Sequence, residues 1–386
     1  MGFFGRKRAP SVPHPRKEPR FDGPLTLKRL EQIFQDCVDF TKRPVSLGEG
    51  GACTLTLCYL SGMVKMERVS DYVLRPLAQD EALARCGTPR QAMEEMMGGA
   101  LYNLSAAERT TLDEAAFDLV AGWCLMFFPG ESAVLSLFVG TEEKRSISSP
   151  SNETVLKGSR DAFVESLRTN TSIVRRHLKT PELRIREQVV GRQSVTSVDI
   201  LYIEGLTNPH LVEQVAAQLA DIDIDAVLAT GNIEEYIVPA ARTAFPLVQY
   251  TERSDRFCAG LAEGRVGILI DGLPLGYLAP GVLGDFLQAP QDKSESWLLA
   301  SALTLLRYLC MLGTLLLPAL YVAMVTFHQE MIPTRLALSI IAAKQDVPFR
   351  SVFEVIVLLL AFEILQEAGL RLPQSIGQTV SIIGGL

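Results

Sequence analysis

Between residues 25 and 40 (LTLKRLEQIFQDCVDF), Leu27, Leu30, Ile33 and Phe34 recur at helical steps and predict an amphipathic helix. Residues 52–60 (ACTLTLCYL) change to alternation, which predicts a strand ending at Ser61-Gly62. A helix over about 69–77, helical stretches over 88–104 and 111–116, and a strand over 133–139 (AVLSLFV) closing at Gly140 complete this half. The plan then recurs. Residues 197–203 (SVDILYI) predict a strand ending at Glu204-Gly205, Thr207-Asn208-Pro209 signals the start of a helix over 210–219, and 265–270 (RVGILI) predict a strand running into Asp271-Gly272. Tyr59-Leu60-Ser61-Gly62 aligns with Tyr202-Ile203-Glu204-Gly205 as strand, tight turn and helix, and the spacing to the later strand–glycine unit is similar in both halves. We therefore expect a tandem pair of similar α/β subdomains, with the boundary in 146–152 (SISSPSN).

A basic stretch, 158–192, lies between the two halves. It carries Arg160, Arg168, Arg175, Arg176, Lys179, Arg184, Arg186 and Arg192 against Asp161, Glu165, Glu182 and Glu187. Phe163, Leu167, Val174 and Leu178 fall on one helical stripe within it. Such a stretch serves as a face for an anionic ligand or a docking subunit, or it is a solvated amphipathic helix with local ion pairs.

The final quarter changes character. Residues 308–327 (YLCMLGTLLLPALYVAMVTF) are twenty in a row without a charge, enough to cross a hydrocarbon core about 30 Å thick, with Pro318 as a kink that helix bundles tolerate. Residues 334–343 form a short amphipathic piece, and 352–365 a second apolar segment holding Glu354 and Glu363. Ser351 and Glu354 have the spacing of a capping box. Glu363 lies about 13 Å further along, where a carboxylate faces a bundle interior or water path, or marks the far interface of a tilted helix. The chain as given ends at 377–386 (GQTVSIIGGL), in what reads as the opening of another apolar segment, so truncation is expected. The expected organisation is a disordered basic arm over 1–21, α/β subdomains over 22–146 and 147–290, and an incomplete helical membrane region over 291–386.

Composition narrows the classes. The chain has 386 residues, 37 basic and 44 acidic, for a net charge of −7, which argues against a nucleic-acid binder. Its seven cysteines are odd in number and scattered, so they read as core thiols of a reducing compartment. The basic arm is followed by no apolar signal segment, which places the region ahead of the membrane helices in the cytoplasm. Arg6 stands where myristoylation wants Ser or Thr. Gly48-Glu49-Gly50-Gly51 lacks the third glycine of a dinucleotide loop, His328-Gln329-Glu330 lacks a second histidine, and no Walker, Cys-x-x-Cys or Gly-x-Ser-x-Gly motif occurs. No enzyme, cofactor or metal is expected.

Several long strings resemble the A subunit of the GerA family of spore germination receptors: 158–192, 201–209 (LYIEGLTNP), 248–253 (VQYTER), 317–333 (LPALYVAMVTFHQEMIP) and 362–386. The resemblance runs from about Ser149 onward and is looser before it. It implies a cytoplasmic α/β head on a multi-pass membrane region in the spore inner membrane. It also implies a homo-oligomer working with a transporter-like B subunit and a lipoprotein C subunit, which couples nutrient sensing to ion release. Under it, Glu330, Glu354, Glu363 and Pro318 are candidates for the ion path or its gating. Arg160, Arg168, Arg175, Arg176 and Arg184 are candidates for a subunit-coupling face. Two further readings stand beside this one: a paralogue of the stage V sporulation AF type that amplifies ion release, and a membrane-tethered module that binds a small ligand.

Overall fold

The computed structural model describes residues 20–47, 53–101, 105–140, 161–227, 235–237, 245–289, 292, 295–345 and 349–371. It divides into two units, Met1–Phe286 and Leu287–Leu386. The predicted arm up to residue 19, the boundary 146–152, the glycine loop 48–51 and the last segment 377–386 lie outside the described residues.

In the first unit, Thr26 caps helix α1 (Leu27–Ile33) by accepting from the Arg29 N–H, and α1 buries Leu30 and Ile33. The predicted helix over 25–40 stops here because the chain turns through Asp36, whose φ of 61° lies in the left-handed region that Asp tolerates better than most residues. Phe34 and Phe40 stack across the turn. Strand β1 (Phe40–Leu47) then pairs antiparallel with β2 (Cys53–Leu60). Alternation along β2 feeds two cores: Leu55, Leu57 and Tyr59 enter one apolar cluster, Cys58 and Leu60 the other. Short helical segments between Met66 and Ala100, two of them π-helical turns, cover the first face with Val69, Val73, Leu77, Met93 and Met96. Strand β3 (Ala106–Arg109), helix α2 (Leu112–Val120), β4 (Trp123–Phe127) and β5 (Val134–Phe138) follow. With α1, α2 covers the second face. The sheet order is β1-β2-β4-β5-β3, antiparallel throughout.

The second half repeats this element by element: α3 (Leu167–His177), β6 (Leu183–Val190), β7 (Thr196–Ile203), α4 (Pro209–Ala220), β8 (Gln249–Thr251), α5 (Ser254–Ala262), β9 (Val266–Ile270) and β10 (Gly276–Ala279). Its order is β6-β7-β9-β10-β8. The cores alternate in the same way, with Val266, Ile268 and Ile270 toward α4 and Leu269 toward α3 and α5. The internal repeat is therefore real, but sequence spacing matched the wrong strands. It aligned β5 with β9, whereas position in the sheet makes β4 the counterpart of β9 and β5 that of β10. Strand β4 (WCLMF) is apolar on both faces, so alternation could not reveal it. The aligned glycines also differ: Gly205 takes φ 75° in its turn, while a Cβ on Gly62 would meet Ser172 of α3 at 3.2 Å.

The second unit is helical. Helix α6 (Trp297–Thr326) starts well before the charge-free window, takes in Arg307 and Pro318, and is about 45 Å long. Among the described residues it is the helix long and apolar enough to cross a membrane. Helix α7 (Thr334–Lys344) and helix α8 (Ser351–Arg371) follow, and α8 packs against α6.

Candidate functional site

The basic stretch separates into α3 and β6, and with it the expected single face divides. The apolar stripe is a core stripe: Phe163, Leu167 and Val174 are buried between α3, α5 and the second sheet, with Leu178 packed beside them. Because Val174 faces the core, its neighbour Arg175 is carried inward too and is only 1% exposed. Its guanidinium clasps Asp39 with Nε at 2.6 Å and Nη2 at 2.8 Å, and Nη1 donates to the Leu183 carbonyl at 3.2 Å. Asp39 belongs to the first half and Arg175 to the second. This buried bidentate pair thus joins the two sheets of one chain and presents no docking face to another.

Backbone pairing extends the same seam. Val38 donates to the Ile185 carbonyl at 3.0 Å and Ile185 donates to Asp36 at 3.3 Å, so Cys37 bridges in parallel to the outer edge of β6. An edge that would otherwise offer free N–H and C=O groups is covered from within the chain. Arg186 reaches Asp36 at 3.1 Å and Glu213 at 2.8 Å, and Arg20 reaches Glu182 at 2.6 Å.

The other predicted arginines bind locally. Arg168 is 2.7 Å from Glu187 and 3.3 Å from Asp199, Arg176 donates to the Ser172 carbonyl, and Arg184 pairs with Glu204 at 3.3 Å. Arg160 lies outside the described residues. The site residues that sequence reasoning missed are Asp39 and Asp199. Asp39 stands 136 positions from its partner, and periodicity carries no signal over that distance. Burial, opposed by Arg168 and reinforced by Glu187, Asp39 and Asp271, pushes the Asp199 carboxyl up to about 7. The thiols of Cys58 and Cys258 are pushed up to about 12 by burial, as inert core cysteines are.

In the helical unit, Ser351 and Glu354 both bind Lys344. Its Nζ donates to Ser351 Oγ at 2.6 Å, lies 3.2 Å from the Glu354 carboxylate and 5.6 Å from the centre of the Tyr321 ring. Glu354 therefore ties α8 to α7 and, through Lys344, to α6. Glu330 sits in the turn Gln329–Met331 and Glu363 on α8, both exposed, and Pro318 is half-buried inside α6. The structure does not gather these four residues into one site. Arg307 and Asp292 form a further pair at the start of α6. Among the described residues, no three His, Cys, Asp or Glu side chains group as a metal site.

Two antiparallel sheets of one topology, followed in the chain by a helix long and apolar enough to cross a membrane, define the class: a duplicated α/β unit joined to a helical region. The family model for the Bacillus/Clostridium GerA spore germination protein matches residues 28–386, and the chain belongs to that family. The match includes the first subdomain, where the resemblance read from the sequence was looser. Two relatives from Bacillus subtilis (strain 168) are 36% identical to it: the uncharacterized membrane protein YfkQ, over 93% of this chain and 69% of the relative, and spore germination protein KA, over 90% and 63%. Spore germination protein GerLA of Bacillus cereus is 34% identical over 93% of this chain and 72% of its own length. The chain thus spans roughly two thirds of these relatives. The crystal structure of the N-terminal domain of the A subunit of the Bacillus megaterium spore germinant receptor GerK3 superposes with a TM-score of 0.54 at 27% identity, covering 67% of this chain and 94% of that domain.

Proposed function

We propose that this chain is the A subunit of a nutrient-responsive spore germination receptor. In this reading, B and C subunits receive the nutrient, and an oligomer of this chain in the spore inner membrane couples that event to ion release. The observation that carries the reading is the family match across both sheets and the helical unit, residues 28–386. The polar groups on the apolar helices support it, since carboxylates in such segments are costly in lipid and mark water or ion paths. Glu354, held by Lys344, is the strongest candidate of this kind; Glu363 on the same helix and Glu330 in the turn Gln329–Met331 are separate candidates.

The test is nutrient-triggered release of monovalent cations from spores deleted for the gene, beside spores complemented with the wild type. Loss of the response to one nutrient class, with others intact, is the expected result. Uniform slowing of every response would favour the amplifier paralogue instead. Unchanged release to all nutrients would sink both and leave a tethered ligand-binding module.

A further inference from the structure

Among the described residues, Asp199 combines complete burial with a carboxylate oxygen that has no hydrogen-bond partner. It sits on β7, on the face that α3 covers, between Val198 and Ile200, which point to the opposite core. Its other oxygen receives only a long 3.3 Å contact from Arg168, and that guanidinium is nearly half exposed and closer to Glu187. The charged groups facing Asp199 are Arg168 from α3, Glu187 from β6, Asp39 from the loop before β1 and Asp271 from the turn after β9. Three of these four are acidic.

Two of those acids anchor α3. Asp271 accepts the Leu167 N–H at the first turn of the helix, at 3.1 Å, and Asp39 holds Arg175 in its last turn. Between them, Ser172 meets the first half at Gly62. A negative charge on Asp199 therefore repels both anchors of the helix that carries the seam, and it draws Arg168 away from Glu187.

We propose that Asp199 is a proton-operated latch on the seam: when neutral it lets α3 rest on β6 and β7 with Arg175 locked on Asp39, and when ionised it loosens α3 and the contact between the two sheets. The upward displacement of its carboxyl to about 7 agrees with this, because the closed seam resists ionisation. An opened seam hydrates Asp199 and returns it toward ordinary carboxylate behaviour. Linkage then favours opening by up to about tenfold for each pH unit between roughly 4 and 7, with a plateau above. The inference stands on the geometry of this unit and does not depend on the proposed function.

Cys37 reports the seam directly, being 8% exposed with its thiol against the Leu183 carbonyl. The experiment is peptide-resolved N-ethylmaleimide labelling of the full-length chain in detergent, read as the wild-type rate divided by the Asp199→Asn rate at each pH. The division removes the pH dependence of the thiol itself. We expect the ratio at Cys37 to rise at least about fivefold between about pH 5.5 and 7.5 and then flatten. Cys58 and Cys258, buried within the separate cores, should stay unlabelled. Arg168→Met, which removes the group holding Asp199 down, should move the rise to higher pH, and it serves as the test should the Asn variant fail to fold. A ratio at Cys37 that stays flat with pH, a rise shared equally by Cys58 and Cys258, or an Arg168→Met curve superposing on wild type would overturn the proposal.

Discussion

The two sheets share one topology yet treat a buried carboxylate in opposite ways. In the first, Asp118 of α2 takes two bonds from Arg109, at 2.7 and 3.3 Å, and a third from the Ser136 hydroxyl at 2.7 Å. Arg109 is itself buried and lies over the Trp123 ring. In the second, Asp199 is just as buried but has one distant, half-exposed partner and acidic neighbours. Burial alone does not decide what a carboxylate does; the number and immobility of the donors around it do. The first arrangement makes a fixed core, and the second leaves a group whose charge responds to pH.

The sharpest way to break this comparison is to strip donors from the satisfied pairs. Arg109→Met leaves Asp118 buried without its guanidinium and should cost about 3–5 kcal/mol in chemical denaturation of the full-length chain. Arg175→Met should cost a similar amount through Asp39, and it should also expose Cys37 to thiol reagents, which Arg109→Met should not. Removing core volume comes next. Ile268→Ala on the central strand of the second sheet should lose about 2–5 kcal/mol and leave the pH response at Cys37 in place. At the small end, Arg85→Met breaks only the exposed pair with Glu81 and should leave the midpoint unmoved within error.

What was legible in the chain follows from the range of each signal. The strand and turn at Tyr59–Gly62 and its copy at Tyr202–Gly205 were readable because alternation and glycine are local, and so was the core stripe through Leu167 and Val174. The split of 158–192 into α3 and β6 was hidden, since in LRIREQVV the buried Leu183 and Ile185 sit among charges that suit either structure. Strand β1 was hidden for the opposite reason: it is an edge strand, largely exposed and with Pro44 in its middle, so it carries little apolar pattern. The seam was beyond sequence reading. Asp39 and Arg175 meet only because two separately specified sheets come together, and the inward turn of Arg175 follows from which face of α3 is apolar. In the helical unit, Glu354 was legible as an acid in an apolar segment, while its engagement by Lys344 depended on where α7 ends.

One measurement separates Asp118 from Asp199 most directly: the equilibrium stability of the wild type, Asp118→Asn and Asp199→Asn at about pH 5 and about pH 8. Because the folded-state carboxyl of Asp199 is raised to about 7, the folded protein holds a proton there that the unfolded chain releases, so its contribution to stability falls as pH rises from roughly 4 to 7. The stability of Asp199→Asn relative to wild type should therefore increase by on the order of 2–3 kcal/mol between about pH 5 and about pH 8, leaving the variant the more stable at about pH 8, whereas Asp118→Asn should be less stable than wild type at both. An Asp199→Asn variant that is destabilised at pH 8 as much as Asp118→Asn would show that both carboxylates are structural anions, and the distinction drawn between the two sheets would be wrong.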